Sequence, residues 1–170
     1  MGDILPDLLR PGLRLVICGS AAGAVSARRG AYYAGPGNKF WSILAQTGLT
    51  PRLLRPEEFP LLPAFGIGLT DLAKRAFGAD TAIRAGDYDP AGLRERIRAC
   101  RPGMLAFNGK KPAATFLGIA SAAYGPAREA PDGPPLFVLP STSGAASGHW
   151  DARWRHRLAD LVRSLNPPPG

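Results

Sequence analysis

Sulfur and imidazole are scarce in this chain, and that scarcity removes several kinds of chemistry. Two cysteines, Cys18 and Cys100, among 170 residues leave no CxxC pair and too few thiolates for a four-cysteine iron–sulfur cluster. The two histidines, His149 and His156, have no cysteine or carboxylate cluster at ligand spacing, so neither a metal site nor a bound cofactor is expected. No apolar run approaches the ~20 residues a membrane span needs, and no membrane association is expected. The opening MGDILPDLLRPG carries acids and early prolines where a secretory signal has a basic start and an apolar core. A cytoplasmic protein is the expectation. Acids are also few, 13 against 21 lysines and arginines, for a net charge of +8. That excess favours a polyanionic partner, since neutralising phosphates releases counterions. The abundance of arginine, alanine, glycine and proline also fits a base-composition bias.

The length suits one domain with one core, taken as residues 1–170 with 166–170 as a frayed tail. Short continuous apolar runs at Leu13–Cys18, Met104–Phe107 and Leu136–Leu139, each ended by glycine, asparagine or proline, read as strands buried on both faces. Helical patterns lie between them. Asn38 caps a segment through Leu49, and Asp89-Pro90 starts a helix running to about Cys100. Another spans Pro112–Ile119 with its first turn near Lys110. The last runs from about Trp150 to Leu165, with arginines opposite its apolar face. The proline-rich stretches 51–63 and 125–135 read as surface loops. Strands alternating with helices predict an α/β fold, a single-domain three-layer α/β/α sandwich with a mainly parallel central sheet. Ligands of such folds sit at the carboxyl ends of the strands, which nominates loops 19–37, 108–111 and 140–148.

In the first loop, glycines permit close backbone approach, and Arg28 with Arg29 can meet phosphate. Neither GxGxxG nor GxxxxGK[ST] occurs, so a nucleotide cradle is poorly supported. Tyr32 and Tyr33 suit stacking on a planar ring, or packing in the core. Asn38 is an N-cap, and its amide could also meet a base or a water. In the second loop Asn108, followed by Gly109, offers one acceptor and two donors at a strand end. The bland reading is an Asn-Gly turn. Lys110 and Lys111 beside it are either phosphate contacts or solvated surface charges.

The third loop places Ser141, Thr142, Ser143 and Ser147 among Gly144 and Ala145, hydroxyls and small residues that suit phosphate contact. It is no nucleophile elbow, because GxSxG is absent and His149 lacks an acid partner. His149 reads as a helix-start or phosphate-side residue. Asp71, in Gly66-Ile67-Gly68-Leu69-Thr70-Asp71, either caps the next segment, balances Lys74 and Arg75, or activates a water.

Five segments in order carry a family resemblance: Pro11-Gly12-Leu13-Arg14 before the first strand, Gly37-Asn38-Lys39-Phe40-Trp41, Gly66 to Asp71, Asn108-Gly109-Lys110, and Leu139 to Gly144. Together they resemble the mismatch-specific uracil-DNA and thymine-DNA glycosylases. The resemblance implies an α/β/α fold, Tyr33 as the aromatic that stacks on a flipped base, and Ser20 and Ala21 beside that base. It implies that loop 140–148 enters the duplex. Two departures stand out. The loop Gly19-Ser20-Ala21-Ala22-Gly23 puts Ala21 where the family holds its catalytic asparagine, and Ala145 stands at the wedge position in place of a leucine. The Ser141-Thr142-Ser143 run is similar to the hypoxanthine-DNA glycosylases of this superfamily, which also lack that asparagine and lean on positions matching Asn38 and Asn108.

The resemblance therefore implies a monofunctional glycosylase that hydrolyses the bond between uracil and deoxyribose, with hypoxanthine and etheno bases as further candidates. Asn38, Asn108 and Asp71 are its catalytic candidates. The partner is duplex DNA with a deaminated or mismatched base, and the protein a monomer. The alternative is an inactive binder of mismatched or abasic DNA, supported by Ala21. A phosphoester enzyme trails both, lacking a carboxylate cluster.

Overall fold

The computed structural model describes residues 2–129 and 133–165. The elements are β1 (Leu15–Ala22), α1 (Ala24–Arg29), α2 (Phe40–Gln46), a 3-10 segment Pro56–Phe65, β2 (Ile67–Phe77), α3 (Pro90–Cys100), β3 (Leu105–Asn108), α4 (Lys110–Leu117), β4 (Gly125–Ala127), β5 (Leu136–Leu139), a 3-10 segment Gly144–His149 and α5 (Ala152–Ser164). The sheet order is β2-β1-β3-β5-β4. All neighbours are parallel except the edge pair β4 and β5.

Because strand side chains alternate between faces, each strand feeds two cores. Leu15 and Ile17 of β1, Ala106 of β3 and Phe137 and Leu139 of β5 join Phe40, Trp41 and Leu44 of α2 and Leu158 and Val162 of α5 on one face. Val16, Cys18, Leu105, Phe107, Leu136 and Val138 join Leu93 and Ile97 of α3 and Ala113 and Phe116 of α4 on the other. This is the three-layer α/β/α sandwich with a mainly parallel sheet. Both cysteines are buried free thiols.

The helix starts follow local chemistry. Asp89 accepts from the Gly92 N–H at 3.0 Å with Pro90 in the first turn. The helix expected from Asn38 through Leu49 is the shorter Phe40–Gln46 with Lys39 at its N-cap, and Asn38, one residue earlier, accepts from the Phe40 N–H at 3.0 Å.

Several boundaries differ from the sequence reading. The strand expected to stop at Cys18 continues through Ala22 with a bulge between Ala21 and Ala22, so Ser20 and Ala21 are strand residues. Loop 19–37 contains α1, and the loop expected at 51–63 is largely 3-10 helix. Gly125–Ala127, inside a stretch read as loop, pairs with β5. The last helix begins at Ala152, because Asp151 caps it by accepting from the Arg153 N–H. The run Ile67–Phe77 is an eleven-residue strand. The residues preceding β1 strap the outer edge of β2, with an antiparallel bridge from Leu8 to Leu69. Residues 166–170, read as a frayed tail, lie outside the described residues.

The chain leaves β1 toward one side of the sheet and β3 toward the other. The switch point is therefore between β1 and β3, and its carboxyl-end crevice lies at Gly19–Ala22 and Asn108.

Candidate active site

Buried polar groups converge on that crevice from four elements. Asp71 comes from the middle of β2, where it pairs with Gly19 of β1, and it is 4% exposed. A Cβ at Gly19 would stand 2.7 Å from Asp71 Oδ1 and 3.1 Å from Tyr33 Oη, so only glycine admits both groups. Burial raises the Asp71 carboxyl from its ordinary 3.8 to about 6. Lys74 pulls it back down, Asp7 pushes it up, and Arg96 and a Gly19 backbone hydrogen bond lower it. Asp71 is thus no helix cap, one of the roles read from sequence. Nor does it pair directly with Lys74, whose ammonium reaches Asp7 at 2.7 Å, while Arg75 is exposed.

Tyr33 arrives from the loop after α1 with φ 53°, a left-handed conformation rare outside glycine. Its neighbours hold it there. The Ser26 hydroxyl accepts from the Ala34 N–H at 3.0 Å, Arg29 donates to the Ala34 carbonyl at 2.9 Å, and the Trp41 indole donates to the Tyr32 carbonyl at 3.0 Å. One face of the Tyr33 ring stacks on Phe40 at 4.0 Å. Its hydroxyl is buried with no hydrogen bond of good geometry, although Asn108 is near enough to lower its pKa. Burial and then Asp71 dominate and push that pKa well up, so the group stays a neutral phenol. Tyr32 is the core residue of the pair, buried and donating to the Pro6 carbonyl.

Asn108 closes β3. Its Nδ2 donates to Thr142 Oγ1 at 2.9 Å, and its Oδ1 accepts from Arg155 Nη2. Thr142 is fully buried, and its carbonyl accepts from the Lys39 N–H at 2.9 Å. It therefore clasps the segments carrying both candidate asparagines. The third loop is braced in the same place: Lys39 Nζ donates to Ser147 Oγ at 3.0 Å, and Ser141 and Ser143 accept from backbone N–H groups. Asn38 spends its oxygen on the Phe40 N–H just before α2, so what it offers a ligand is its NH2.

Arg155 is the buried member of this cluster that the sequence reading missed. The arginines of α5 were expected opposite its apolar face, yet Arg155 is 3% exposed. The signal was present. Arg155, Leu158, Ala159 and Val162 fall at i, i+3, i+4 and i+7, which is the buried stripe. Its Nη2 also donates to the Pro140 carbonyl at 2.9 Å, while Nε and Nη1 are buried without a partner. Among the described residues no carboxylate pairs with it. Burial lowers its pKa to about 10, so it remains a cation at neutral pH.

The other candidates lie around this centre. Ser20 and Ala21 are half-buried at the end of β1. Gly37 packs against Gly144, and Ala145 and His149 are exposed on the same loop. Arg28 is exposed, whereas Arg29 is held by Glu57 in an ion pair. Lys110 and Lys111, exposed in the first turn of α4, lie over the rings of Tyr124 at 4.4 Å and Tyr88 at 5.7 Å. They also border a hollow of about 200 Å³ that is separate from the buried cluster.

The family model of the Uracil DNA glycosylase superfamily matches residues 6–162, spanning every group of this cluster. The chain belongs to the uracil DNA glycosylase superfamily. Membership makes it a glycosylase-type hydrolase of a DNA-repair family whose members act on DNA. A solution NMR structure from Methanosarcina acetivorans, named a "putative Uracil DNA glycosylase", superposes with a TM-score of 0.60. The two chains are 24% identical and each is 94% covered, a likeness in fold.

Proposed function

We propose that this chain removes uracil flipped out of duplex DNA, as a monofunctional glycosylase acting as a monomer. The observation that carries this reading is the buried cluster at the switch-point crevice, where Asp71 from the middle of β2 and Tyr33 close on Gly19 of β1 beside Asn108 at the end of β3. There a carboxyl group, an amide and a phenol meet around a strand end whose glycine and alanine leave room, and the segment carrying the second amide, Asn38, is tied to the same centre through Thr142. Extruding a nucleotide into such a site costs a few kcal/mol, least at a mismatched or deaminated base, so wobble pairs are favoured substrates. Hypoxanthine and etheno bases are further candidates, on the likeness of the Ser141–Ser143 run to hypoxanthine-DNA glycosylases.

The chemistry needs a water and a stabilised leaving group. Water oxygen bonds to C1′ as the C1′–N bond breaks, and the base departs with the bonding pair. The Asp71 carboxylate, with its pKa near 6, takes the water's proton and faces the developing positive charge on the sugar. The amide donors of Asn38 and Asn108 meet the departing base anion, a role that preorganised neutral donors fill without a strong acid. Asp71, Asn38 and Asn108 together cover the function of the amide missing at Ala21.

Alkali-induced strand cleavage of labelled duplexes with one uracil, opposite guanine or adenine, tests this reading. Cleavage confined to the uracil position is expected. Asn38→Ala is expected to slow it at least about tenfold, ~1.4 kcal/mol of barrier, with folding retained. Ala21 favours one other reading, an inactive binder of mismatched or abasic DNA. Tight binding without base release by excess protein would establish that alternative.

A further inference from the structure

An asparagine amide is ambivalent. Turned one way it presents N–H donors, and turned over it presents an oxygen. Asn108 is fixed by its two neighbours, and they are not equivalent. The Thr142 hydroxyl, which accepts from Nδ2, can equally donate and so tolerates either orientation. The Arg155 guanidinium carries donors alone. A turned amide would set the NH2 of Asn108 against the guanidinium N–H groups, donor against donor, in a buried place. Two further features make Arg155 decisive. It has no carboxylate partner among the described residues to divert it, and its Nε and Nη1 already lack acceptors, so losing the amide oxygen would leave it poorer still.

From this geometry we infer that Arg155 is a specificity-setting positioning residue, which holds Asn108 as a hydrogen-bond donor toward the bound base and thereby selects bases with a carbonyl acceptor where deamination has replaced an amino donor. The inference rests on reading the cluster as the base-excision site. Deamination turns the amino group of cytosine or adenine into the carbonyl of uracil or hypoxanthine. A donor-only amide pairs with the carbonyl and opposes the amino group, so the normal base is rejected by a mismatch of polarity rather than of size. A site with fixed buried donors discriminates far better than an apolar one, because the wrong ligand leaves them unpaired.

The test titrates free uracil and free cytosine, followed by ligand-observed NMR, into wild type, Arg155→Gln and Arg155→Lys. Wild type is expected to bind uracil at least about tenfold more tightly than cytosine. Gln can accept as well as donate and so frees Asn108 to turn over. It should bring the two affinities within about threefold. Lys, another donor-only cation, should keep the preference. Arg155→Met serves the same purpose if the Gln variant does not fold. An unchanged uracil-to-cytosine ratio in a folded Gln or Met variant overturns the inference, as does a wild type with no preference. The uracil-duplex cleavage assay on wild type, run alongside, separates the two claims. Absence of base release with the preference intact sinks the excision reading alone, and release without a preference sinks the Arg155 reading alone.

Discussion

The two rims of the crevice are built on opposite principles. At the end of β1, side chains have been removed: Gly19, Ser20, Ala21 and Ala22 offer one hydroxyl and otherwise backbone. Across the switch point, the end of β3, the loop after β5 and the start of α5 carry Asn108, Thr142 and Arg155, all buried, with Asn108 hydrogen-bonded to the other two. The empty rim makes the site, because a side chain at Gly19 would collide with Asp71 and Tyr33. The crowded rim equips it. The motif position itself, where Ala21 stands, carries no polar side chain, and the buried polar groups belong to its neighbours.

The largest expected effects come from breaking the crowded rim. Asn108→Ala removes a proposed contact to the leaving base and strips Arg155 of its amide acceptor. Base release should fall at least about tenfold, and stability should drop by about 1–3 kcal/mol, the cost of leaving a buried polar group unsatisfied. Single-turnover rates and chemical denaturation measure the two losses separately. Ala21→Gly, on the empty rim, should change base release by less than about twofold, ~0.4 kcal/mol of barrier. A large loss with Ala21→Gly and none with Asn108→Ala would invert the comparison.

Asp71, on β2 beside the empty rim, yields the next effect, and its sign follows from its burial. The carboxyl titrates near 6 in the folded protein against an ordinary 3.8, so the folded state holds this proton more tightly than the unfolded chain. That contribution to stability is complete below about pH 3.8 and is lost as pH rises through about 6. Asp71→Asn should flatten the stability profile across this window and leave the variant the more stable protein at pH 8. The gain is at most on the order of 3 kcal/mol at 1.36 kcal/mol per pKa unit. Base release behaves in the opposite sense. The wild-type rate should rise through about pH 6 as the carboxylate forms, and the Asn variant should lack that limb. A wild-type rate flat from pH 5 to 7 would remove Asp71 from the chemistry.

How much of this was legible in the sequence depended on how local each signal is. The β1, β3 and β5 cores, the Asp89-Pro90 helix start and the placement of Asn108 at a strand end follow from short-range patterns, and all are present in the fold. The strand Ile67–Phe77 was not read as one, because Gly68, Thr70, Asp71 and Lys74 interrupt its apolar run. Those polar residues are accommodated by distant partners: Thr70 donates to Asp7, and Lys74 reaches Asp7 and the Leu5 carbonyl. Arg155 was hidden for the same reason. Its position on the buried stripe of α5 was readable, but the hydrogen-bond acceptors that hold a charged residue there, Asn108 and the Pro140 carbonyl, come from other elements.

The smallest effect concerns the charged surface, and it separates one arginine from two lysines that composition alone cannot tell apart. Arg29 is committed to Glu57 and the Ala34 carbonyl, so its charge is compensated and it braces the backbone behind Tyr33. Lys110 and Lys111 rest on aromatic faces, with no carboxylate partner among the described residues, and their charges remain available to phosphates. If DNA crosses the first turn of α4, removing either lysine deletes one counterion-releasing contact. Lys110→Ala and Lys111→Ala should then each shallow the slope of log affinity against log salt by about 0.9, with weakened binding on every sequence. Arg29→Ala should leave the slope unchanged and lower the melting temperature. The reverse pattern would move the DNA path from α4 to α1, toward the empty rim, and with it the side from which the flipped base enters.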